Sequence, residues 1–226
     1  MKNLLIFCIS TFPFLTIGQT ISHIGVMGGL DFTYRVLNNK YYNNEIGKLN
    51  YRFGVNYDLK ISKRFWLETG LRFSSLGYNT KKKFLMYGGE YDVNTGIWSP
   101  DPSLPHEFQI GNDYFFLEIP INLKYQLGKN KWNPFLLIGI SPNIYLTTKT
   151  TEITELYTKS YTDRSPLIKN ITYSVNIGFG FDYSLSEKYQ LFVQPSFRYH
   201  FTKLNNGYKA EYLYSYGIEL GVKKKL

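Results

Sequence analysis

Apolar residues recur at every second position through most of the chain. The pattern is most regular in residues 171–185, where odd positions are bulky and apolar and even positions are small or polar. The bulky positions are Ile171, Tyr173, Val175, Ile177, Phe179, Phe181, Tyr183 and Leu185. Alternate side chains of a β-strand point to opposite faces, so this segment predicts a strand with one apolar face and one polar face.

Seven further segments repeat this alternation. With the first, they cover residues 24–36, 49–61, 65–73, 115–127, 136–146, 171–185, 189–201 and 212–222. The least regular is 136–146, because Leu137 falls out of phase with its apolar neighbours. Eight amphipathic strands of this kind predict an all-β fold.

The connections between these segments alternate between long and short. The long ones are residues 37–47, 80–112, 150–169 and 204–210, and the short ones are 62–64, 128–133 and 186–188. Outer-membrane barrels have an even number of strands, short periplasmic turns and longer extracellular loops. We therefore predict an eight-stranded, antiparallel, up-and-down transmembrane β-barrel located in a Gram-negative outer membrane.

Interior volume decides which face of the strands points outward. An eight-stranded barrel has an interior just wide enough to be filled by side chains. The bulky residues of all eight segments exceed that space, whereas the glycines, serines, asparagines and charged residues fit it. We expect the apolar face to contact lipid and the polar face to line the lumen.

The tyrosines fall near the two ends of the apolar face. Aromatic rings concentrate at both membrane interfaces of outer-membrane barrels. We predict an extracellular girdle of Tyr34, Tyr51, Tyr173, Tyr199 and Tyr212. The predicted periplasmic girdle comprises Tyr57, Tyr125, Tyr183 and Tyr189.

The lumen-facing positions carry charges of both signs. The predicted lumen network comprises Arg35, Arg52, Glu68, Arg72, Glu118, Lys124, Asp182, Arg198 and Glu219, with Asp31, Asp58 and Lys60 in the same phase. Unpaired buried charges are strongly destabilising, so these groups are expected to form ion pairs, and Arg72 is expected to contact Glu118. The network either fills the barrel or lines a narrow proton or ion path.

The N-terminus reads as a cleaved signal peptide. Lys2 precedes an uncharged, mostly apolar stretch, Leu4 to Ile17, which is too short to span a bilayer. Thr16 and Gly18 are small residues suited to cleavage between Gly18 and Gln19. We predict a signal peptide over 1–18 and a barrel domain over 19–226; removal of the signal takes away the single cysteine.

Composition agrees with an exported barrel. Aromatic residues make up 18% of the chain, and the formal net charge is +9. The basic residues are spread out, apart from Lys81–Lys83 and Lys223–Lys225, which are expected to be solvated. Outer-membrane lipid and lipopolysaccharide phosphates are the expected partners, and export disfavours nucleic acid.

Residues for catalysis or cofactor binding are scarce. The three histidines, His23, His106 and His200, lack metal-ligand spacing, and we expect no metal, cofactor or catalytic residue. His200 and Thr202 lie near the extracellular rim, as the active site of a lipid A-modifying enzyme would require. Both share the lumen-facing phase, however, and an enzyme acting on acyl chains needs a nucleophile that lipid can reach.

The two longest connections, 80–112 and 150–169, are the expected sites of any partner binding. Residues 80–112 contain Trp98, Pro100, Pro102 and Pro105, and residues 150–169 are rich in Thr and Tyr. Long loops are often functional, although simple exposed hairpin extensions explain the same composition.

Two stretches resemble a known family. The first is YFFLEIPINLKYQLG, from Tyr114 to Gly128, and the second is PFLLIGISPNIYL, from Pro134. Leu117-Glu118-Ile119-Pro120, Lys124-Tyr125, Pro134-Phe135 and Gly139 are similar to the pattern of PorT-like outer-membrane β-barrel proteins. FWLETGLRFSSLGY, from Phe65, resembles the preceding strand of that family, whereas Ser141-Pro142 departs from its pattern.

The resemblance implies a barrel without transferable catalytic residues, in a family whose best-known member belongs to a secretion and gliding apparatus. The leading hypothesis is a non-enzymatic barrel that is structural or binds an envelope or secretion protein through its extracellular loops. The alternatives are an accessory of a PorT-like secretion apparatus, a lipid A-modifying enzyme and a narrow channel.

Overall fold

The computed structural model describes residues 22–37, 45–84, 88–101, 103–128, 131–207 and 210–226. The predicted signal peptide, including Gly18 and Gln19, lies outside the described residues. Strands dominate these ranges, and no helix within them is long and apolar enough to cross a membrane. The strands are β1 (Ser22–Leu37), β2 (Glu45–Lys60), β3 (Phe65–Thr80), β4 (Lys83–Phe84), β5 (Glu90–Asp92), β6 (Ile97–Ser99), β7 (Glu107–Glu118), β8 (Ile121–Gln126), β9 (Trp132–Thr154), β10 (Thr158–Asp163), β11 (Ile171–Ser184), β12 (Tyr189–His200) and β13 (Glu211–Lys225).

The strands close into a barrel. Each long strand pairs antiparallel with the next, and β13 pairs with β1 in a register that puts Val26 opposite Val222. Strands β7 and β8 follow one another in a single position of the ring, called a stave here, and both pair with β3 on one side and β9 on the other. They are separated at Ile119 and Pro120, because proline has no N–H to donate to the ladder. The ring therefore has eight staves, which confirms the predicted antiparallel up-and-down barrel.

The two ends of the barrel differ. Tight turns at 61–64 and 185–188 lie at the same end as both described termini, where Leu226 N donates to Ser22 O (2.9 Å). The longer connections gather at the other end. Outer-membrane barrels keep short turns in the periplasm, so the turn end is periplasmic and the loop end is extracellular.

Burial alternates along the staves as the sequence predicts. Val26 is 61% exposed, whereas the adjacent Met27 is 5% exposed. The irregular segment around Leu137 keeps the predicted phase: Leu136 and Ile138 face outward, and Leu137 is buried inside the barrel. Bulky apolar residues therefore form the outer wall, and small or charged residues face the lumen.

Three loops were predicted too long; in the connection 37–47, residue 37 belongs to β1 and residues 45–47 belong to β2. Strand β7 begins at Glu107 and β9 continues to Thr154, so parts of the predicted loops 80–112 and 150–169 are strand. Strand β9 has 23 residues, against 14 in β11 and 12 in β12, and β10 folds back onto its outer part. Residues 107–113, 148–154 and 158–163 thus form a three-stranded sheet at the extracellular end, called the arm below.

Candidate functional site

The lumen is filled by ionisable side chains. Five cations and six carboxylates face inward, and each is at most 3% exposed. These residues are Arg52, Arg72, Arg198, Lys124, Lys223, Asp31, Asp58, Glu68, Glu118, Asp182 and Glu219. They lie inside because each occupies the polar phase of its strand.

The extracellular half of this network is built around two arginines. Arg198 contacts Glu118 and reaches Asp31, with 3.1 Å between Nη2 and Oδ2. Arg52 contacts Asp31 and lies 2.7 Å from Glu219 Oε1. A guanidinium shared between two carboxylates in this way fixes the geometry of both.

Arg72 connects this half to the periplasmic half. Its Nη2 lies 2.9 Å from Glu68 Oε1, and its Nη1 lies 3.5 Å from Glu219 Oε2. Glu68 Oε2 in turn lies 3.2 Å from Lys223 Nζ. The network therefore continues without a break between the two halves.

The periplasmic half pairs lysines with aspartates. Lys223 Nζ lies 2.6 Å from Asp58 Oδ2, and Lys124 Nζ lies 2.5 Å from Asp182 Oδ2. Lys124 also approaches Asp58 at 3.9 Å. Buried pairs of this kind add little net stability, but removing one partner leaves an uncompensated charge and is strongly destabilising.

Eight of the nine predicted network residues lie in this network, and Arg35 stands apart from it. Arg35 contacts Glu45 and lies 3.2 Å from Glu211 Oε1, with its guanidinium 3.7 Å from the centre of the Tyr78 ring. Arg35 lies at the extracellular rim because it comes four residues after Asp31 on β1, closer to the extracellular end of that strand than the network is.

Two expectations about charged residues are wrong. Arg72 and Glu118 face each other in the β3–β7 register, but no described ion pair joins them: Arg72 binds Glu68 of its own strand and Glu219 of β13, and Glu118 binds Arg198. Lys223 was expected to be solvated with Lys224 and Lys225, yet it is 1% exposed. The sequence did contain a signal for this burial: Glu219, Gly221 and Lys223 are alternate positions of one strand, so Lys223 shares the lumen-facing side with Glu219.

An apolar cluster lies in the lumen at the extracellular end, where the sequence predicted a polar lining. Its members are Leu76, Tyr78, Tyr114, Phe116, Tyr145, Leu204 and Leu213, with Ile168 packed against them. Leu204 and Ile168 come from the extracellular connections, which are joined by an Ile168–Asn205 bridge and by a hydrogen bond from Lys169 N to Leu204 O (2.9 Å). We call this set the apolar plug.

The plug and the ion pairs close the lumen. A cavity within the network, lined by Arg52, Arg72, Gln194 and Glu219 among others, measures about 10 Å³. A single water needs roughly that much space, so this cavity is too small to hold a hydrated ion.

The three histidines lie in different parts of the molecule. The His200 ring is buried 5.8 Å from the Phe116 ring, whereas Thr202 Oγ1 accepts a hydrogen bond from Tyr173 N (2.8 Å). The His23 ring lies 4.9 Å from the Trp66 ring at the periplasmic end, and His106 lies in the connection before β7. In the described ranges no three His, Cys, Asp or Glu side chains are grouped to hold a metal ion.

The predicted girdle tyrosines all lie on the outer wall. At the extracellular side, Tyr34 stacks on Tyr214, with ring centroids 5.2 Å apart. At the periplasmic side, Trp132 lies 4.5 Å from Tyr183 and Phe65 lies 4.9 Å from Tyr125. Their depth in a bilayer stays a prediction.

The arm is anchored by charged groups at its edge. Glu155 accepts hydrogen bonds from the backbone N–H groups of His106 and Glu107, and the first of these bonds contributes most to lowering the pKa of its carboxyl group. Lys82 Nζ lies 2.6 Å from Glu107 Oε2, which raises the pKa of the lysine. The Glu155 contacts tie the start of β7 to the turn between β9 and β10, and the Lys82 contact ties it to the residues between β3 and β4.

A separate hairpin, β5–β6, lies in the connection between β3 and β7. Asp92 accepts hydrogen bonds from Thr95 Oγ1 and Asn94 N, both at 2.8 Å, and these bonds lower the pKa of its carboxyl group. Gly96 takes a φ of 70°, which favours glycine. Val93 at the tip is 85% exposed. The arm and this hairpin both belong to the longer connections at the extracellular end.

Several solved outer-membrane proteins are similar to this chain at low identity. Neisserial surface protein A (NspA) is 11% identical, with a TM-score of 0.48 over 90% of this chain and 97% of that one. Ail of Yersinia pestis is 12% identical, with a TM-score of 0.40 over 92% and 99%. The outer membrane protease OmpT of Escherichia coli is 9% identical, with a TM-score of 0.47 over 93% and 98%.

A search of curated protein sequences gives no match. The family described as "Outer membrane protein beta-barrel domain", in contrast, matches residues 18–209. That match covers most of the chain and agrees with the closed eight-stave ring and its apolar outer wall. The chain therefore belongs to the outer membrane protein beta-barrel domain family and is an outer-membrane β-barrel.

Proposed function

We propose that this barrel has no enzymatic activity and binds a partner through its extracellular end, chiefly through the arm. The observation that carries the proposal is the contrast between the two parts of the molecule. The lumen is packed with ion pairs and closed by the apolar plug, whereas every residue of β10 is exposed. A closed barrel of this kind supports a role as an anchor for the arm rather than as a conduit.

The experiment is a comparison of intact and arm-deleted protein in the native outer membrane. The deletion replaces residues 150–161 with a short Asn-Gly turn, which suits a two-residue hairpin. The matched control removes the β5–β6 hairpin, residues 90–99, and leaves the arm in place. After cross-linking and affinity purification, the proposal predicts partners that are lost with the arm and kept by the control. Equal recovery by both variants would contradict it.

We further propose that the partner is an envelope or secretion protein, as in a PorT-like secretion apparatus. The similarity of residues 114–128 to the PorT-like pattern supports this finer assignment. Deletion of the gene is then expected to reduce secreted protein, and the arm-deleted variant should fail to restore it. Unchanged secretion in the deletion strain would contradict a role in secretion, and the partner of the arm would then be another kind of envelope protein.

Lipid and lipopolysaccharide are proposed as the surrounding partners of the outer wall. The exposed side chains of Lys81, Lys82 and Lys83 at the extracellular end support contacts with lipopolysaccharide phosphates, because a cluster of cations attracts anionic surfaces. Binding of the purified barrel to lipopolysaccharide should weaken when all three lysines are replaced by glutamine.

A further inference from the structure

A pocket of about 210 Å³ opens on the inner face of the arm, above the apolar plug. Two cross-strand rows of side chains form its wall. Asn112, Thr150 and Tyr161 make one row, because Thr150 pairs with Asn112 on β7 and with Tyr161 on β10. Tyr114, Thr148 and Asp163 make the other row in the same way. Ile168 and Ser165, from the connection after β10, complete the lining.

Hydrogen bonds hold the wall of this pocket in place. Thr150 Oγ1 donates to Asn112 Oδ1 (3.0 Å), and Asn112 Nδ2 donates to Tyr78 OH (3.2 Å). The hydroxyls of Thr148 and Tyr145 lie 2.7 Å apart. The arm pocket is therefore formed before any ligand arrives, which reduces the entropy lost on binding.

Two side chains at the mouth of the arm pocket, Tyr161 and Asp163, are exposed and can contact a ligand. The Tyr161 side chain is 48% exposed, and its ring presents a flat apolar face. Asp163 is exposed, and none of the ion pairs among the described residues includes it. An aromatic face beside a carboxylate can pack against C–H groups while accepting hydrogen bonds from hydroxyls.

Charge and size narrow the class of ligand. Among the described lining residues there is no Lys, Arg or His, so the site has no cation for a phosphate or carboxylate. A purely apolar ligand would take water from the exposed Asp163 carboxylate without giving it a hydrogen bond in return. The volume lies below the range of about 300–1,000 Å³ that holds drug-sized molecules. We propose that the arm pocket binds one neutral sugar ring.

This inference rests on the proposed role of the arm in binding and names the chemistry that one part of it recognises. A neutral sugar could belong to the lipopolysaccharide of the same membrane or to a glycan supplied from outside. In both cases the ring would stack on Tyr161, and its hydroxyls would meet Asp163 and Asn112.

The test uses the folded, full barrel in lauryldimethylamine oxide, because glycoside detergents carry sugar head groups that would compete. Saturation-transfer difference NMR measures binding of glucose, galactose, mannose, rhamnose and N-acetylglucosamine, with glucose 6-phosphate as the charged comparison. We expect at least one neutral sugar to bind. Tyr161→Ala should weaken that binding by about tenfold, in line with the loss of an aromatic contact and its burial.

Three variants separate the pocket from general effects. Tyr161→Phe keeps the ring and should retain binding, and Asp163→Asn should weaken it. Tyr157→Ala removes another exposed tyrosine, which lies in the turn between β9 and β10 and outside the pocket lining, so it should bind like the wild type. A heat-dependent shift in gel mobility establishes that each variant is folded.

The two sources are distinguished by a second pair of ligands: the delipidated oligosaccharide of the cell's own lipopolysaccharide and an array of external neutral glycans. Tyr161-dependent binding to one of them identifies the source. Three results would overturn the inference: no neutral sugar binds the folded wild type, Tyr161→Ala binds as well as the wild type, or the charged sugar binds better. If the arm deletion still removes a partner in cross-linking, such a result refutes the sugar site and leaves the proposed function standing.

Discussion

Lys223 Nζ lies 2.6 Å from Asp58 Oδ2 in the periplasmic half of the lumen and joins the last strand of the barrel to the second. Both side chains are almost completely buried, and Lys223 also reaches Glu68 at 3.2 Å. Lys223, two residues before the end of β13, thus holds two carboxylates inside the barrel. Its neighbour Lys224 is exposed and makes no described ion pair, which gives a matched control.

Replacing Lys223 with alanine should therefore destabilise the barrel strongly. Asp58 and Glu68 would remain buried without their shared cation, and loss of one partner from a buried pair costs about 3–5 kcal/mol. Urea titration of the barrel refolded into lipid vesicles measures the free energy of unfolding. Lys224→Ala should change it little, and equal losses in the two variants would contradict the burial of Lys223.

Gly217 is required by close packing inside the lumen. A Cβ at this position would overlap the Leu30 carbonyl oxygen and the Asp31 carboxylate, whereas a Cβ at Gly28 would meet no atom within 4 Å. Gly217→Ala should lower the free energy of unfolding by about 1–3 kcal/mol, the usual effect of overpacking. Gly28→Ala, measured in the same vesicles, should be neutral or slightly stabilising.

Leu213 is a fully buried member of the apolar plug. Leu213→Ala would leave a cavity among Leu76, Phe116 and Leu204, and substitutions of this kind cost about 2–5 kcal/mol. Leu220 is 53% exposed on the lipid-facing side of the same strand and provides the comparison. Urea titration should show a larger loss for Leu213→Ala than for Leu220→Ala; the reverse order would place the core of the protein elsewhere.

The edge of the arm should loosen in acid. The pKa of Glu155 is lowered from its ordinary value of 4.5, first by the hydrogen bond from His106 N. A carboxyl group with a lowered pKa in the folded state stabilises that state above its ordinary pKa, and the stabilisation is lost as the pH falls through the lower value. Amide exchange at residues 106 and 107 should therefore become faster relative to the barrel below about pH 4.5, allowing for the intrinsic effect of pH on exchange.

Glu155→Gln is the control for that experiment. The amide oxygen can still accept one of the two backbone hydrogen bonds but does not titrate, so the variant should lose the extra acid-dependent acceleration at His106 and Glu107. The same acceleration in the variant would show that another group controls the edge of the arm.

The phase of the strands could be read from the sequence because it depends on local alternation and on the capacity of the interior. That is why even Leu137 left the phase of its strand unchanged. The partners of the lumen charges could not be read in this way. Arg198 and Glu118 lie 80 residues apart on strands that are not neighbours, and their contact depends on the stagger of the closed ring.

The sequence indicated the apolar plug and the arm only weakly. Tyr114, Phe115 and Phe116 put bulky rings on both faces of β7, which conflicts with a uniformly polar lumen. Residues 147–154 have polar side chains on both faces and so lack the alternation that marks the membrane-spanning parts. Their high threonine content was the remaining indication of a strand, since β-branched residues favour strands.

Conductance in planar bilayers tests most directly the claim that this barrel is closed and acts through its extracellular end. The folded wild-type protein should pass no sustained current, because ion pairs fill the lumen and the apolar plug covers them. Insertion is established independently by the heat-dependent gel shift of protein recovered from the same vesicles. A steady single-channel current from the folded wild type, altered by Arg72→Ala or Lys223→Ala, would show that the lumen conducts and would contradict the account.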